Sequence, residues 1–78
     1  MPLVRYFAGA AEAAGTEAEE LAGTTVGELR ARMLAAHGDA LAQVLGRCSV
    51  LVDGVRSDDD AVVSASDVVD VLPPFAGG

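Results

Sequence analysis

The sequence concentrates its chemical potential in its last seven residues, Leu72-Pro73-Pro74-Phe75-Ala76-Gly77-Gly78. The two prolines stop whatever element precedes them and stiffen the exit, and Phe75 supplies an apolar anchor. The side chains then shrink stepwise to a carboxylate at Gly78. Fully extended, the four residues after Pro74 reach about 13 to 14 Å, enough to carry a terminal carbon to the floor of a partner's narrow cleft. Glycine at 77 threads a passage too tight for a Cβ, and glycine at 78 leaves its carbonyl open to attack from either side. A carboxylate in that position becomes an electrophile once its oxygen is made a good leaving group, and acyl chemistry follows. The plainer alternative is a floppy glycine tail. In a chain with nine glycines the Gly-Gly pair alone carries little weight, and its placement directly after a final apolar strand carries more.

No other group competes for a chemical role. There is one His, one Cys and no Lys, with no Gly-rich phosphate loop and no metal-ligand spacing. The chain is therefore expected not to be catalytic alone and to hold no cofactor and no metal of its own. His37 reads as a surface residue favoured by a helix dipole. Cys48, beside an apolar strand, reads as a small core hydrophobe. Asp58-Asp59-Asp60 lacks the alternating ligand spacing of a calcium loop and reads as a solvated turn.

The elements that must position the tail follow from local pattern. Leu3 to Phe7 alternates as a first strand, and Glu17 to Leu21, after the Gly15-Thr16 turn, forms an exposed edge strand beside it. Ala8 to Ala14 between them is a short Ala-rich helix. Thr25-Val26-Gly27-Glu28 is a capping box in which Thr25 accepts from the Glu28 amide and Glu28 reaches back to the Thr25 amide. Val26, Leu29, Met33 and Leu34 then share one helical face, and Gly38 is a left-handed stop before a second helical stretch from Asp39 to Leu45. Ser49 to Val52 runs into the tight turn Asp53-Gly54, and Val55-Arg56 starts the return. Val68 to Leu72, apolar and β-branched, is a buried central strand lying parallel to the first. This order is that of an α+β, β-grasp (ubiquitin-like) roll, a mixed sheet with one main helix packed on one face.

Composition agrees with one small domain, residues 1–74, followed by a flexible tail, residues 75–78. Seventy-eight residues stabilise a single core at most, built here from Val, Leu and Ala because only Tyr6, Phe7 and Phe75 are aromatic. A net charge of -7 repels nucleic acid phosphates and anionic membranes, so neither is an expected partner. The charge suits a basic protein partner, or simply solubility. A lone Cys, the lack of an apolar run of ~20 residues and the lack of a basic-then-apolar leader make the cytoplasm the expected location.

The chain resembles the small sulfur-carrier subunit of molybdopterin synthase, the MoaD type of the ubiquitin-like MoaD/ThiS family. The carriers of the resemblance are Val4-Arg5-Tyr6-Phe7-Ala8 with Gly15, Thr25-Val26-Gly27-Glu28-Leu29, Val52-Asp53-Gly54 and above all the final seven residues. It departs from the pattern at Ala10-Ala11-Glu12, where an Arg is often found, at Asp53, where Asn is common, and at Ala65-Ser66-Asp67 before the last strand. The resemblance implies that an E1-like activating enzyme adenylates Gly78 with ATP, that a sulfurtransferase donor converts it to a thiocarboxylate, and that the tail delivers the sulfur to a pterin precursor. That last step occurs on the synthase large subunit, expected as a heterotetramer. On the same resemblance Phe75, Pro74, Ala76, Phe7 and Val55 belong to the partner interface, although ordinary sheet packing accounts for Phe7 equally well from sequence.

Three other readings share the pattern. A carrier for the thiamine thiazole or another sulfur product would use identical chemistry at Gly78. A ubiquitin-like modifier would form isopeptide bonds with lysines of target proteins, and this Lys-free chain could not build lysine-linked chains of itself. A β-grasp interaction module would not need Gly78 at all.

Overall fold

The computed structural model describes residues 1–74. Five strands form one mixed sheet in the order β2-β1-β5-β3-β4, with β1 at Leu3–Tyr6, β2 at Ala18–Glu20, β3 at Ser49–Val52, β4 at Val55–Arg56 and β5 at Val68–Leu72. β5 is central, parallel to β1 with Leu3 opposite Val68, and antiparallel to β3 with Ser49 opposite Leu72. Its Val-rich sequence fits that place, because a strand paired on both sides favours β-branched residues that pack on a pleated surface. The β-grasp expectation, one main helix on one face of a mixed sheet, is what the chain adopts.

Helix α1, Gly9–Ala14, and helix α2, Val26–Leu45, cover one sheet face. Alternation sends Val4 and Tyr6 of β1, Val50 of β3 and Val69 and Val71 of β5 toward them, where they meet Val26, Leu29, Met33, Leu41 and Leu45. Leu34 does not join this core and is 38 % exposed. At 100° per residue, position 34 has turned about 80° past Val26, so only Val26, Leu29 and Met33 stay in register.

The helical stop at Gly38 is a break inside α2, with φ 67° and ψ -148°, and helix resumes at once on its far side. At the N-terminus of α2 the Glu28 amide donates to Thr25 Oγ1 at 3.1 Å, as the capping pattern requires. The return bond differs: Glu28 Oε1 accepts chiefly from the Thr24 amide at 2.7 Å and the Thr24 hydroxyl at 2.9 Å. The loop containing Asp58-Asp59-Asp60 is more than a solvated turn. Its Asp59 and Ala61 carbonyls accept from the Gly27 and Val26 amides, each at 3.0 Å, and so satisfy donors that the first helical turn leaves open. Among the described residues no helix is long and apolar enough to cross a membrane.

Candidate functional site

Strand β5 fixes the direction in which the chain leaves the domain. Ladders to β1 and β3 hold it on both sides as far as Leu72, and the Phe7 amide donates to the Val71 carbonyl at 3.1 Å beside the exit. Pro73 is half-buried and Pro74 exposed. With no N–H to donate, the two prolines cannot extend the ladders, so the sheet ends where the tail begins. The expected site residues Phe75, Ala76, Gly77 and Gly78 lie outside the described residues.

The sheet face turned away from the helices surrounds this exit. Leu3, Arg5 and Phe7 from β1 and its end, Val68, Asp70 and Leu72 from β5, and Leu51 from β3 share that face by alternation and register. At its centre Arg5 forms a two-pronged ion pair with Asp70: Nε to Oδ1 at 2.7 Å and Nη2 to Oδ2 at 2.9 Å. These hydrogen bonds and the charge of Asp70 raise the guanidinium's pKa, keeping it ionised. The same guanidinium carbon lies 5.7 Å from the centre of the Phe7 ring, in reach of the aromatic face. Phe7 is 39 % exposed and forms part of this apolar surface next to the tail root.

Val55 stands elsewhere. It pairs with Val52, whose side chain packs toward the core, so Val55 points to the helix side of the sheet from edge strand β4 and is 66 % exposed. Val52 in turn pairs with Val69, near the start of β5, so Val55 lies toward the end of the sheet opposite the tail. The structure brings Phe7 and Pro74 to the same end and keeps Val55 apart from them.

Two clusters were not foreseen from sequence. The first is the Arg5–Asp70 pair; opposite charges on two strands expected to lie in parallel were a usable signal, but only the register could join them. The second ties β1, β2 and α2 together under the sheet edge. Tyr6 Oη donates to Glu19 Oε2 at 2.6 Å, His37 Nε2 lies 2.5 Å from the same oxygen, and the Tyr6 and His37 rings meet edge to face at 5.8 Å. His37 is thus a paired, largely buried group with a side chain only 15 % exposed, not a free surface residue. The break at Gly38 follows it directly. Burial, then Glu19, push the Tyr6 hydroxyl well above its ordinary range. For Glu19 burial pushes upward, but hydrogen bonds from Tyr6 and His37 outweigh it and hold the carboxyl below its usual range.

Around the α2–β3 connection, Arg30 Nη1 donates to the Leu45 carbonyl at 3.2 Å. Its Nε lies 2.8 Å from Asp59 Oδ1 but off the hydrogen-bond line, so this contact is ionic without a directed bond. Cys48 is buried as expected, 8 % exposed, and its Sγ contacts the Val44 carbonyl at 3.2 Å. No group of His, Cys, Asp and Glu among the described residues is arranged to hold a metal ion.

Comparison with known proteins agrees with this architecture. No curated protein sequence matches the chain significantly. Small archaeal modifier protein 1 from Haloferax volcanii is similar at 29 % identity, with 97 % of each chain covered and a TM-score of 0.79. In the complex of subunits 1 and 2 of molybdopterin-converting factor from Helicobacter pylori, a similar chain shows 27 % identity over 97 % of this chain and 96 % of that one, with a TM-score of 0.72. The BexX/CysO complex of Amycolatopsis orientalis contains the same fold at 21 % identity, covering 100 % of both chains with a TM-score of 0.81. The ThiS family model matches residues 4–78, from the first strand through the glycine tail. With that match added to a β-grasp sheet whose central strand leads straight into the tail, the chain belongs to the ThiS family of ubiquitin-like carriers.

Proposed function

We propose that the chain is the sulfur carrier of molybdopterin synthase, loaded at the Gly78 carboxylate and discharged into a pterin precursor. In the first step the carboxylate attacks ATP on an activating enzyme, forming an acyl adenylate and releasing pyrophosphate. Sulfide-level sulfur from a donor then displaces AMP at the acyl carbon to give a thiocarboxylate. Its sulfur attacks the pterin precursor and displaces a leaving group there, and water cleaves the resulting thioester, leaving sulfur on the product and the plain carboxylate on the chain. The domain's part is positional: binding energy from its surface places the tail in a partner's site.

The observation that carries this reading is the path of β5. A strand held on both sides delivers the chain into Pro73-Pro74 four residues before Gly78, and the family match continues through those residues. The molybdopterin assignment is supported by the Pro-Pro-Phe-Ala-Gly-Gly ending and by the likeness to the Helicobacter pylori converting-factor subunit. That relative is in complex with a second subunit, which supports a large-subunit partner here, and the apolar sheet face around Phe7 is the surface we assign to it.

The test is the intact mass of the chain from its native cell, with fragmentation to localise any change. One oxygen replaced by sulfur at Gly78 is expected, together with formation of molybdopterin when the loaded chain meets the large subunit. Full activity after deletion of Gly78 would sink the proposal. A second reading, attachment to lysines of other proteins, is favoured by the likeness to the archaeal modifier. Isopeptide-linked forms without thiocarboxylate would move the assignment to it.

A further inference from the structure

We propose that the chain is built to protect its own activated C-terminus: the nucleophiles that an acyl adenylate or thioester at Gly78 would meet on the same molecule are absent, buried or out of reach. The inference rests on the carrier reading only in supposing an activated Gly78. The placement of the nucleophiles stands apart from it.

The hazard is self-acylation. A free amine or thiolate attacks the activated carbonyl, a C–N or C–S bond forms, the bond to the leaving group breaks with its electron pair, and the nucleophile's proton passes to solvent. The carrier would then be lost as a closed ring. Ser and Thr hydroxyls, un-ionised near neutral pH, are far weaker nucleophiles than a free amine or thiolate and do not compete.

Register identifies the positions most exposed to this hazard. Ser49 lies opposite Leu72 in the antiparallel β3–β5 pair. Arg47 and Cys48 directly precede Ser49, in the turn that closes α2, and so lie within two residues of the partner of Leu72, near where the tail starts. Position 47 is exposed and cationic, yet it is Arg, whose guanidinium stays protonated and does not attack acyl carbon. The same choice is made throughout: Arg5, Arg30, Arg32, Arg47 and Arg56 account for all five basic residues, and there is no Lys. Position 48 holds the only thiol of the chain. It is buried, its Sγ rests against the Val44 carbonyl, and burial pushes the thiol up against a smaller downward pull from Arg30 and Arg47. A thiol so held yields little thiolate, the form that attacks.

The remaining candidates are removed in two ways. Tyr6 and His37 are tied to Glu19 on the helix side of the sheet. The α-amine at Met1 is removed by topology. Because β1 runs parallel to β5, Leu3 lies beside Val68 and Met1 is set back about 20 Å from Leu72 along the strand direction. Six residues beyond Leu72 span about 20 Å when fully extended. No length is left for the reversal the return would need, and two prolines stand at its start.

The test uses the full chain carrying a C-terminal thioester of 2-mercaptoethanesulfonate, released from an intein fusion and kept dilute at mildly alkaline pH. Intact mass follows its fate. The parent is expected to give only the hydrolysed free acid. Arg47→Lys, conservative and exposed, is expected to give a product one water lighter than the free acid, a lactam to the new amine, at least about tenfold faster than hydrolysis, since an amine beside the tail acts at high effective concentration. Ring formation by the parent at a comparable rate would overturn the inference, and so would an Arg47→Lys thioester that merely hydrolyses. Because the thioester is made without an activating enzyme, failure of the carrier reading would appear instead as native chain lacking thiocarboxylate and would leave this result intact.

Discussion

Arg5 and Asp70 face each other across the parallel pair β1–β5, joined by two hydrogen bonds of 2.7 and 2.9 Å on the sheet face away from the helices. Asp70 is two residues before Leu72, so the pair fastens the strand that launches the tail to the strand that ends in Phe7. Both groups retain some water contact, Arg5 much more than Asp70, so the interaction is screened by salt. Arg5→Met is expected to lower the unfolding midpoint modestly at low ionic strength, with the difference from the parent shrinking as salt rises. Denaturant titrations at low and high salt check this. A difference independent of salt would mean that packing against Phe7, not charge, is what Arg5 contributes.

Ala8 occupies a conformation that suits glycine. The Phe7 carbonyl accepts from the Ala10 amide at 3.0 Å, closing a four-residue turn in which Ala8, at φ 50° and ψ -125°, holds the first central position of a II′ geometry. A Cβ there costs on the order of 1 to 3 kcal/mol, more than the chain entropy that glycine adds to the unfolded state. Ala8→Gly is therefore expected to raise stability by about 1 kcal/mol in urea unfolding. The strain sits immediately after Phe7, at the tail end of the sheet, so the same variant also shows whether it matters for partner binding.

Stability should fall on both sides of neutrality, for different groups. Glu19 and Glu28 have folded-state pKa values below their ordinary ones: Glu19 because the Tyr6 and His37 hydrogen bonds outweigh burial, Glu28 chiefly because of the Thr24 amide and hydroxyl. A depressed carboxyl stabilises the fold above its unfolded pKa, near pH 4, and that contribution is lost as pH falls below it. Tyr6 is shifted the other way, so above about pH 10 the unfolded chain ionises its phenol first and the fold loses ground. Urea unfolding across pH is the measurement. Glu19→Gln is expected to flatten the acid limb, and an unchanged limb would place the acid sensitivity on Glu28 or elsewhere.

Much of this molecule was legible before its structure because local signals and long-range needs agree. Val68 to Leu72 reads as a central strand from β-branching alone, Asp53-Gly54 as a tight turn, and Gly38 as a helical stop. What escaped depends on register or on angular drift. Leu34 lies one residue past the end of the apolar stripe, His37 finds Glu19 only because β2 lies at the sheet edge, and the separation of Val55 from Phe7 follows from which face Val52 takes. The final four residues were the clearest chemical signal in the sequence, and their order, not any fold they adopt, is what makes them so.

The hairpin before β5 gives a last prediction. Asp53 and Gly54 both have positive φ, 47° and 84°, as the tight turn requires. Asp53 does more than turn the chain: its amide donates to the Val68 carbonyl and its Oδ1 accepts from the Val68 amide, each at 2.8 Å. Both bonds anchor the first residue of the strand that carries the tail. Asn retains an acceptor at Oδ1 and tolerates left-handed backbone at least as well, so Asp53→Asn is expected to leave stability within about 0.5 kcal/mol. Ala loses the acceptor and disfavours the positive φ, so Asp53→Ala is expected to cost about 1 to 2 kcal/mol. Chemical denaturation of the two variants side by side separates these effects. Equal losses would show that the negative charge of Asp53, not its hydrogen bond to Val68, holds the start of β5.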